Sequence, residues 1–188
     1  SNPKYREYLR ETMHRLLSSD EGCCNAYGLK LDYAFTQPVG KDAKSYSGKF
    51  GVELFLDYIA LIHDCAKAAK PEAIISASPC HPLFTNYVDH ARLHDYYPDL
   101  RRCYEEFTFR REIYDIAMPG VLFDTDGSAY NTRRDTMRYM RLAPKIGIPD
   151  LYCITEFPSL TLSDDDWESV ADIWREYGEL IDRTVGKE

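Results

Sequence analysis

A lysine and an aspartate share one face of a short predicted strand, residues 28–35. Side chains alternate along a strand, so Leu29 and Leu31 lie on one face and Lys30 and Asp32 on the other. We expect this strand to be buried, and two charges on its covered face are costly unless they pair or take part in chemistry. A structural ion pair explains one such strand. A lysine that favours the ionised form of its neighbour also prepares an aspartate for nucleophilic attack.

Polar side chains also end the other predicted strands. The second strand ends with Ser76 and Ser78, and His81 lies just beyond it. The third strand ends with Arg92, His94 and Asp95, the fourth with Asp124 and Asp126, and the fifth with Thr155 and Glu156. The carboxyl ends of parallel strands share one edge, where ligands bind. Five polar strand ends therefore predict a site for a polar, polyhydroxylated ligand. The start of a polar loop is enough to explain Asp126 and Glu156, but not the charged residues inside apolar runs.

Two carboxylates that face each other across such a site suggest cleavage of a glycosidic bond. One ionised carboxylate attacks the anomeric carbon, and a second, protonated one protonates the leaving oxygen and then activates water. Metal-assisted hydrolysis is the rival use of Asp and His clusters. Only Asp124 and Asp126 have a suitable spacing, and they fit a turn equally well. The sequence therefore predicts neither a metal nor another cofactor.

The elements that must position these residues alternate strictly between helix and strand. Helices are predicted over residues 2–18, 49–69, 98–117 and 133–142 and after Ser163, and strands over 28–35, 73–78, 90–95, 121–124 and 149–155. Ser163 with Asp166 forms a capping box. The apolar stripes place Phe107 and Ile116 of the third long helix, and Trp174 of the last one, in the core.

Alternation of this kind predicts an α/β fold with parallel strands and right-handed crossovers. Two architectures fit: a partial TIM barrel of about five βα units after a leading helix, or an open doubly wound sheet. No linker divides the chain, so residues 1–188 are predicted to form a single domain.

Composition limits the classes of partner. The 188 residues carry a net charge of −8, which disfavours nucleic acid because such a surface repels phosphates. No apolar run approaches the roughly 20 residues of a membrane span. The six cysteines form no CxxC pair and show no zinc spacing, which favours a reducing, cytoplasmic setting. An extracellular location stays open if the chain is part of a larger secreted enzyme.

Two short motifs resemble those of a known group of enzymes. Lys30-Leu31-Asp32 resembles the Lys-x-Asp nucleophile motif of retaining α-galactosidases and α-glucosidases, glycoside hydrolase families 36, 31 and 27. The stretch from Arg92 to Asp95 resembles the Trp-x-Ser-Asp or Trp-x-Gly-Asp strand that carries their acid/base, with Arg92 in place of Trp and His94 in place of Ser or Gly. The resemblance implies that Asp32 is the nucleophile and Asp95 the acid/base, on one rim of the barrel, and that Lys30 contacts sugar hydroxyls.

The resemblance also implies a place in the barrel and a substrate. The five strands would be the fourth to eighth of a catalytic barrel, whose C-terminal half this chain would form. The expected substrate is an oligosaccharide or glycoside with an α-galactosyl or α-glucosyl group. Open barrel edges predict a homo-oligomer. The candidate substrate-binding residues are Lys30, Tyr33, Ser76, His81, Arg92, His94, Asp124 and Asp126.

Two other functions remain open at this point. A sugar-binding or scaffolding barrel fragment would keep the polar rim without turnover. A flavodoxin-like ligand-binding domain would be an open sheet with a phosphate or Mg²⁺ site, although no glycine-rich phosphate loop supports it. Hydrolysis of an aryl α-glycoside distinguishes the enzyme from a sugar-binding or scaffolding fragment.

Overall fold

The computed structural model describes residues 2–32, 42–78, 81–93, 100–125, 132–151 and 161–185. This part of the chain is an α/β structure with helices α1 (Pro3–Leu17), α2 (Gly51–Ala69), α3 (Leu100–Ala117), α4 (Arg133–Leu142) and α5 (Asp164–Val185). The strands are β1 (Gly28–Leu31), β2 (Ile74–Ala77), β3 (His90–Arg92) and β4 (Leu122–Asp124). They form a parallel sheet in the order β1-β2-β3-β4.

Contacts divide the chain into two compact units. The first comprises Ser1–Ala91 with Met118–Val121, and the second Arg92–Ala117 with Leu122–Glu188.

The core of the first unit lies between β1 and helices α1 and α2. Buried Leu9 and Met13 of α1 meet Leu61, Ile62 and Cys65 of α2, and Leu29 and Leu31 of β1 pack against this cluster. The helices therefore cover the leucine face of β1, as the alternation predicts.

Two features hold the first unit's strands in place. A Cβ on Gly28 would lie 2.1 Å from the Ile74 carbonyl oxygen, so only glycine fits where β1 meets β2. Just before β3, the Asp89 carboxylate accepts hydrogen bonds from the Ile75 N–H (2.8 Å) and the Lys67 ammonium (3.0 Å). These contacts fix the registers of the three strands.

The second unit is built around Phe123 of β4. Its ring stacks on Tyr114 of α3 with the centroids 5.8 Å apart, and the Arg111 guanidinium lies 4.9 Å from its centroid. Beyond β4, the buried Thr125 hydroxyl is hydrogen-bonded to the Tyr139 hydroxyl and donates to the Ile148 carbonyl. Burial raises the pKa of the Tyr139 phenol well above its usual range, so this pair stays neutral.

Most predicted helices and strands are confirmed. Helix α4 has the predicted bounds, and α5 begins just after Ser163. The predicted capping box is present: the Ser163 hydroxyl accepts from the Asp166 N–H at 3.3 Å, and the Asp166 carboxylate accepts from the Ser163 N–H at 2.9 Å. The fifth strand differs. Its described residues, 149–151, form no strand, and a single parallel bridge joins Asp124 to Ile148 instead.

Candidate functional site

Three polar residues occupy one register position on neighbouring strands of the first unit. Lys30 of β1 pairs with Ser76 of β2, and Ser76 pairs with His90 of β3. Parallel strands in register direct paired side chains to the same face. Because Leu29 and Leu31 face the helices, Lys30, Ser76 and His90 lie on the opposite face. We call these three residues the polar row.

Burial differs sharply along the polar row. Lys30 is exposed and His90 is half-buried, whereas Ser76 between them is only 5% exposed. The Ser76 hydroxyl has no hydrogen-bond partner in the described part of the chain. A buried hydroxyl that makes no hydrogen bond destabilises the folded state, so this position is more typical of a binding site than of a packed core.

Asp32 follows β1 directly and is exposed. The prediction that Lys30 and Asp32 lie on a covered strand face is wrong. β1 is the edge strand of the described sheet, and α1 and α2 cover only its leucine face. Solvent, and therefore a ligand, can approach the Asp32 carboxylate, as a nucleophile requires.

His81 has a clear structural role. Its Nδ1 accepts a hydrogen bond from the Leu83 N–H (3.2 Å), which caps the short 3₁₀ turn Pro82–Phe84. Its ring centroid lies 5.3 Å from that of Phe84. Since Nδ1 accepts, the neutral ring carries its proton on Nε2, which leaves that nitrogen as the group available to a ligand.

In the second unit, two predicted site residues are buried charges. Arg92 ends β3 and Asp124 ends β4, and both side chains are buried. The Asp124 carbonyl accepts from the Leu93 N–H at 3.0 Å, which continues the β3–β4 ladder. Arg92, which the sequence places inside an apolar run, is therefore a buried charge at a strand end, and Asp124 is another.

Four predicted site residues lie outside the described residues. They are Tyr33, His94, Asp95 and Asp126. The juxtaposition of Asp32 with Asp95 therefore stays a prediction. His90 was missed from the sequence, although it lies two residues before Arg92 and so shares its side of the predicted strand.

A groove that the sequence analysis missed lies on the helical side of the first unit. It is a groove of about 580 Å³ between α1 and α2, with Arg6, Arg10, His14 and Arg15 on one side and Leu61 and Cys65 on the other. Burial raises the pKa of the Cys65 thiol, which disfavours a reactive thiolate there. The spacing of Arg6, Arg10 and His14, one helical turn apart, is the signal that could have revealed it.

Within the ranges given above, no three His, Cys, Asp or Glu side chains are placed to hold a metal ion.

No helix in the described ranges has the length and apolar character needed to cross a membrane.

The chain matches no protein-family model, and comparisons with the curated proteins and with the solved structures find no match either.

Proposed function

We propose that the chain is part of the catalytic barrel of a retaining α-glycosidase, with Asp32 as nucleophile and Asp95 as acid/base. The observation that carries the proposal is the position of Asp32. Asp32 is exposed and directly follows the carboxyl end of β1. It lies two residues beyond Lys30, which is on the face of β1 away from α1 and α2. In a barrel, that strand end is where catalytic residues lie.

The strand order supports a barrel segment over a doubly wound sheet. A doubly wound sheet reverses its strand order at a switch point, and its helices cover both faces. The described strands follow chain order, β1-β2-β3-β4, without reversal. Right-handed crossovers that always advance in one direction place their helices on one face, as in a (β/α)₈ barrel.

The chemistry needs two carboxylates in different protonation states. An Asp32 carboxylate oxygen attacks the anomeric carbon and forms a glycosyl ester, while the leaving oxygen takes the proton of Asp95. Asp95 then removes a proton from water, the water oxygen bonds to the anomeric carbon, and the ester bond to Asp32 breaks. Lys30 supplies a positive charge two residues from Asp32.

Hydrolysis of 4-nitrophenyl α-galactoside and α-glucoside tests the proposal. We expect release of 4-nitrophenol, with the α-anomer as the first sugar product seen by NMR. Asp32→Asn should remove nearly all turnover because an amide does not attack the anomeric carbon. Asp172→Asn is the matched control, since Asp172 is an exposed helix residue paired with Arg175. Sugar binding without release in the wild-type chain would indicate the non-catalytic alternative, and a β-anomer would exclude retention.

A further inference from the structure

We infer that the polar row, Lys30, Ser76 and His90, binds the carboxylate of an acidic sugar, so that the preferred substrate is a glycoside of a uronic acid. The identification of the ligand as a sugar rests on the proposed function. The preference for a negative charge rests on the polar row itself, whose three members all belong to the first unit.

The geometry brings three hydrogen-bonding groups to one level of the sheet. The register pairs Lys30 with Ser76 and Ser76 with His90. Neighbouring strands lie about 4.8 Å apart, so the row spans roughly 10 Å, enough for one sugar ring with its substituent. The three side chains share the face away from α1 and α2, where Lys30 is open to solvent.

The chemical types in the row favour an acceptor-only ligand group. A lysine ammonium has three donors and no acceptor, and a serine hydroxyl and an imidazole N–H can both donate. Serine and neutral histidine also have acceptor atoms, so Lys30, which has none and carries a positive charge, is the member of the row that favours a carboxylate over a sugar hydroxyl. An ionised carboxylate only accepts, and its hydrogen bonds to such donors are charge-assisted and therefore stronger.

The middle of the row is where the structure itself lacks a partner. Ser76 is 5% exposed, and its hydroxyl has no hydrogen-bond partner among the residues described. A ligand oxygen at this level would accept the hydrogen bond that the protein does not provide. In this respect Ser76 differs from Ser163 at the start of α5, whose hydroxyl accepts a structural hydrogen bond from the Asp166 N–H.

The negative charge of the chain makes a cation beside the ligand necessary for this assignment. The chain carries a net charge of −8, and Asp32 adds a negative charge two residues from Lys30. An anionic sugar is repelled from such a site unless a cation lies beside it. Lys30 is placed to offset both the Asp32 carboxylate and the carboxylate of the sugar.

The test compares ligands that differ only at one carbon. Titration calorimetry would measure binding of methyl α-galacturonide against methyl α-galactoside, and of methyl α-glucuronide against methyl α-glucoside, to the whole chain. We expect at least one acidic sugar to bind about tenfold more tightly than its neutral partner, as one charge-assisted contact provides. Added salt should reduce this preference because it screens the charges.

Two variants test whether the polar row causes the preference for acidic sugars. Ser76→Ala and Lys30→Met should each reduce the acidic-to-neutral ratio towards one, with folding checked by circular dichroism. Ser169→Ala, at a half-buried position of α5 in the second unit, should leave the ratio unchanged. A ratio that Ser76→Ala and Lys30→Met leave intact would overturn the assignment to the polar row.

The outcomes separate this inference from the proposed function. Equal or tighter binding of the neutral sugars, with turnover of neutral aryl glycosides, would overturn the acidic-sugar preference and leave the glycosidase proposal standing. Selective binding of an acidic sugar without turnover of any aryl glycoside, the uronides included, would support the polar row and count against catalysis. Binding of none of the four sugars would overturn the inference.

Discussion

Lys30 and Ser76 lie opposite each other in the parallel β1–β2 pair, yet one is exposed and the other buried. The difference follows from strand position. β1 is the edge of the described sheet, whereas β2 has a neighbouring strand on each side. A charged group on β1 is therefore open to solvent, whereas its partner on β2 is buried beside it.

Ser76→Ala should keep or increase stability. Removing a buried hydroxyl that has no partner relieves a desolvation penalty of about 1 kcal/mol. The free energy of unfolding, measured by urea titration, should stay the same or rise by roughly this amount. Thr125→Val is the contrasting variant. The Thr125 hydroxyl is hydrogen-bonded to Tyr139 and donates to the Ile148 carbonyl, so its removal should lower the free energy of unfolding. A clear loss for Ser76→Ala would mean that its hydroxyl has a structural partner.

Gly28→Ala should strongly destabilise the first unit. The added methyl group would lie 2.1 Å from the Ile74 carbonyl oxygen, so β1 must move away from β2. We expect a lower midpoint of thermal unfolding and faster hydrogen exchange of the Ser78 N–H, which donates to the Leu31 carbonyl. Gly178→Ala is the control, because nothing lies within 4 Å of its added Cβ. In the middle of α5 that change should stabilise by about 0.5–1 kcal/mol. Equal effects of the two changes would contradict the close strand approach.

Ser163→Ala should weaken the start of α5. The serine hydroxyl accepts from the Asp166 N–H and from the Arg133 guanidinium (3.0 Å) and donates to the Asp166 carboxylate (2.9 Å), so three bonds are lost together. We expect a loss of about 1 kcal/mol in the free energy of unfolding, as is usual for an N-cap. Ser169→Ala, within the same helix, should have a much smaller effect. An equal loss in the free energy of unfolding for Ser163→Ala and Ser169→Ala would show that the N-cap hydrogen bonds of Ser163 add no specific stability.

Asp166 should make stability depend on pH in the acidic range. Hydrogen bonds from the Arg133 guanidinium, and then from the Ser163 N–H, hold the pKa of the Asp166 carboxyl well below its usual range. Its stabilising effect is therefore complete above about pH 4, the usual aspartate pKa, and is lost as the pH falls further.

The comparison with Asp166→Asn tests this dependence. The wild-type chain should be more stable than the variant by a constant amount between neutral pH and about pH 5, and the difference should shrink below about pH 4. Asp165→Asn, at an exposed position of the same turn, controls for the change in charge at the helix N-terminus. A difference that persists unchanged into acid would show that the carboxylate charge is not responsible.

Local sequence signals predicted where helices begin and end better than they predicted which residues are buried. The bounds of α4 and the capping box of Ser163 and Asp166 follow from residues close in sequence, and both are confirmed. The placement of Ile116 and Trp174 in the core is wrong: Ile116 is 85% exposed and Trp174 45% exposed. Periodicity identifies an apolar stripe but not which part of it meets a neighbour.

The same limit applies to the candidate site. Alternation correctly separated Lys30 from the leucine face of β1, but burial was overestimated because the edge position of β1 is a property of the sheet. Alignment of Lys30 with Ser76 and His90 depends on the registers of three strands. No pattern within one strand contains that information, so the sequence can place His90 on the side of Arg92 but cannot align it with Lys30 and Ser76.

Covalent trapping tests the central claim, that Asp32 is the nucleophile, most directly. A 5-fluoro-α-glycosyl fluoride of the galacto or gluco series would lose its anomeric fluoride to the attacking carboxylate and leave a slowly hydrolysed fluoroglycosyl ester. Mass spectrometry of peptides should find one such sugar on Asp32, and none on the Asp32→Asn variant, while Asp172→Asn is labelled as the wild type. An unlabelled wild-type chain, or a sugar attached to any other carboxylate, would contradict the claim.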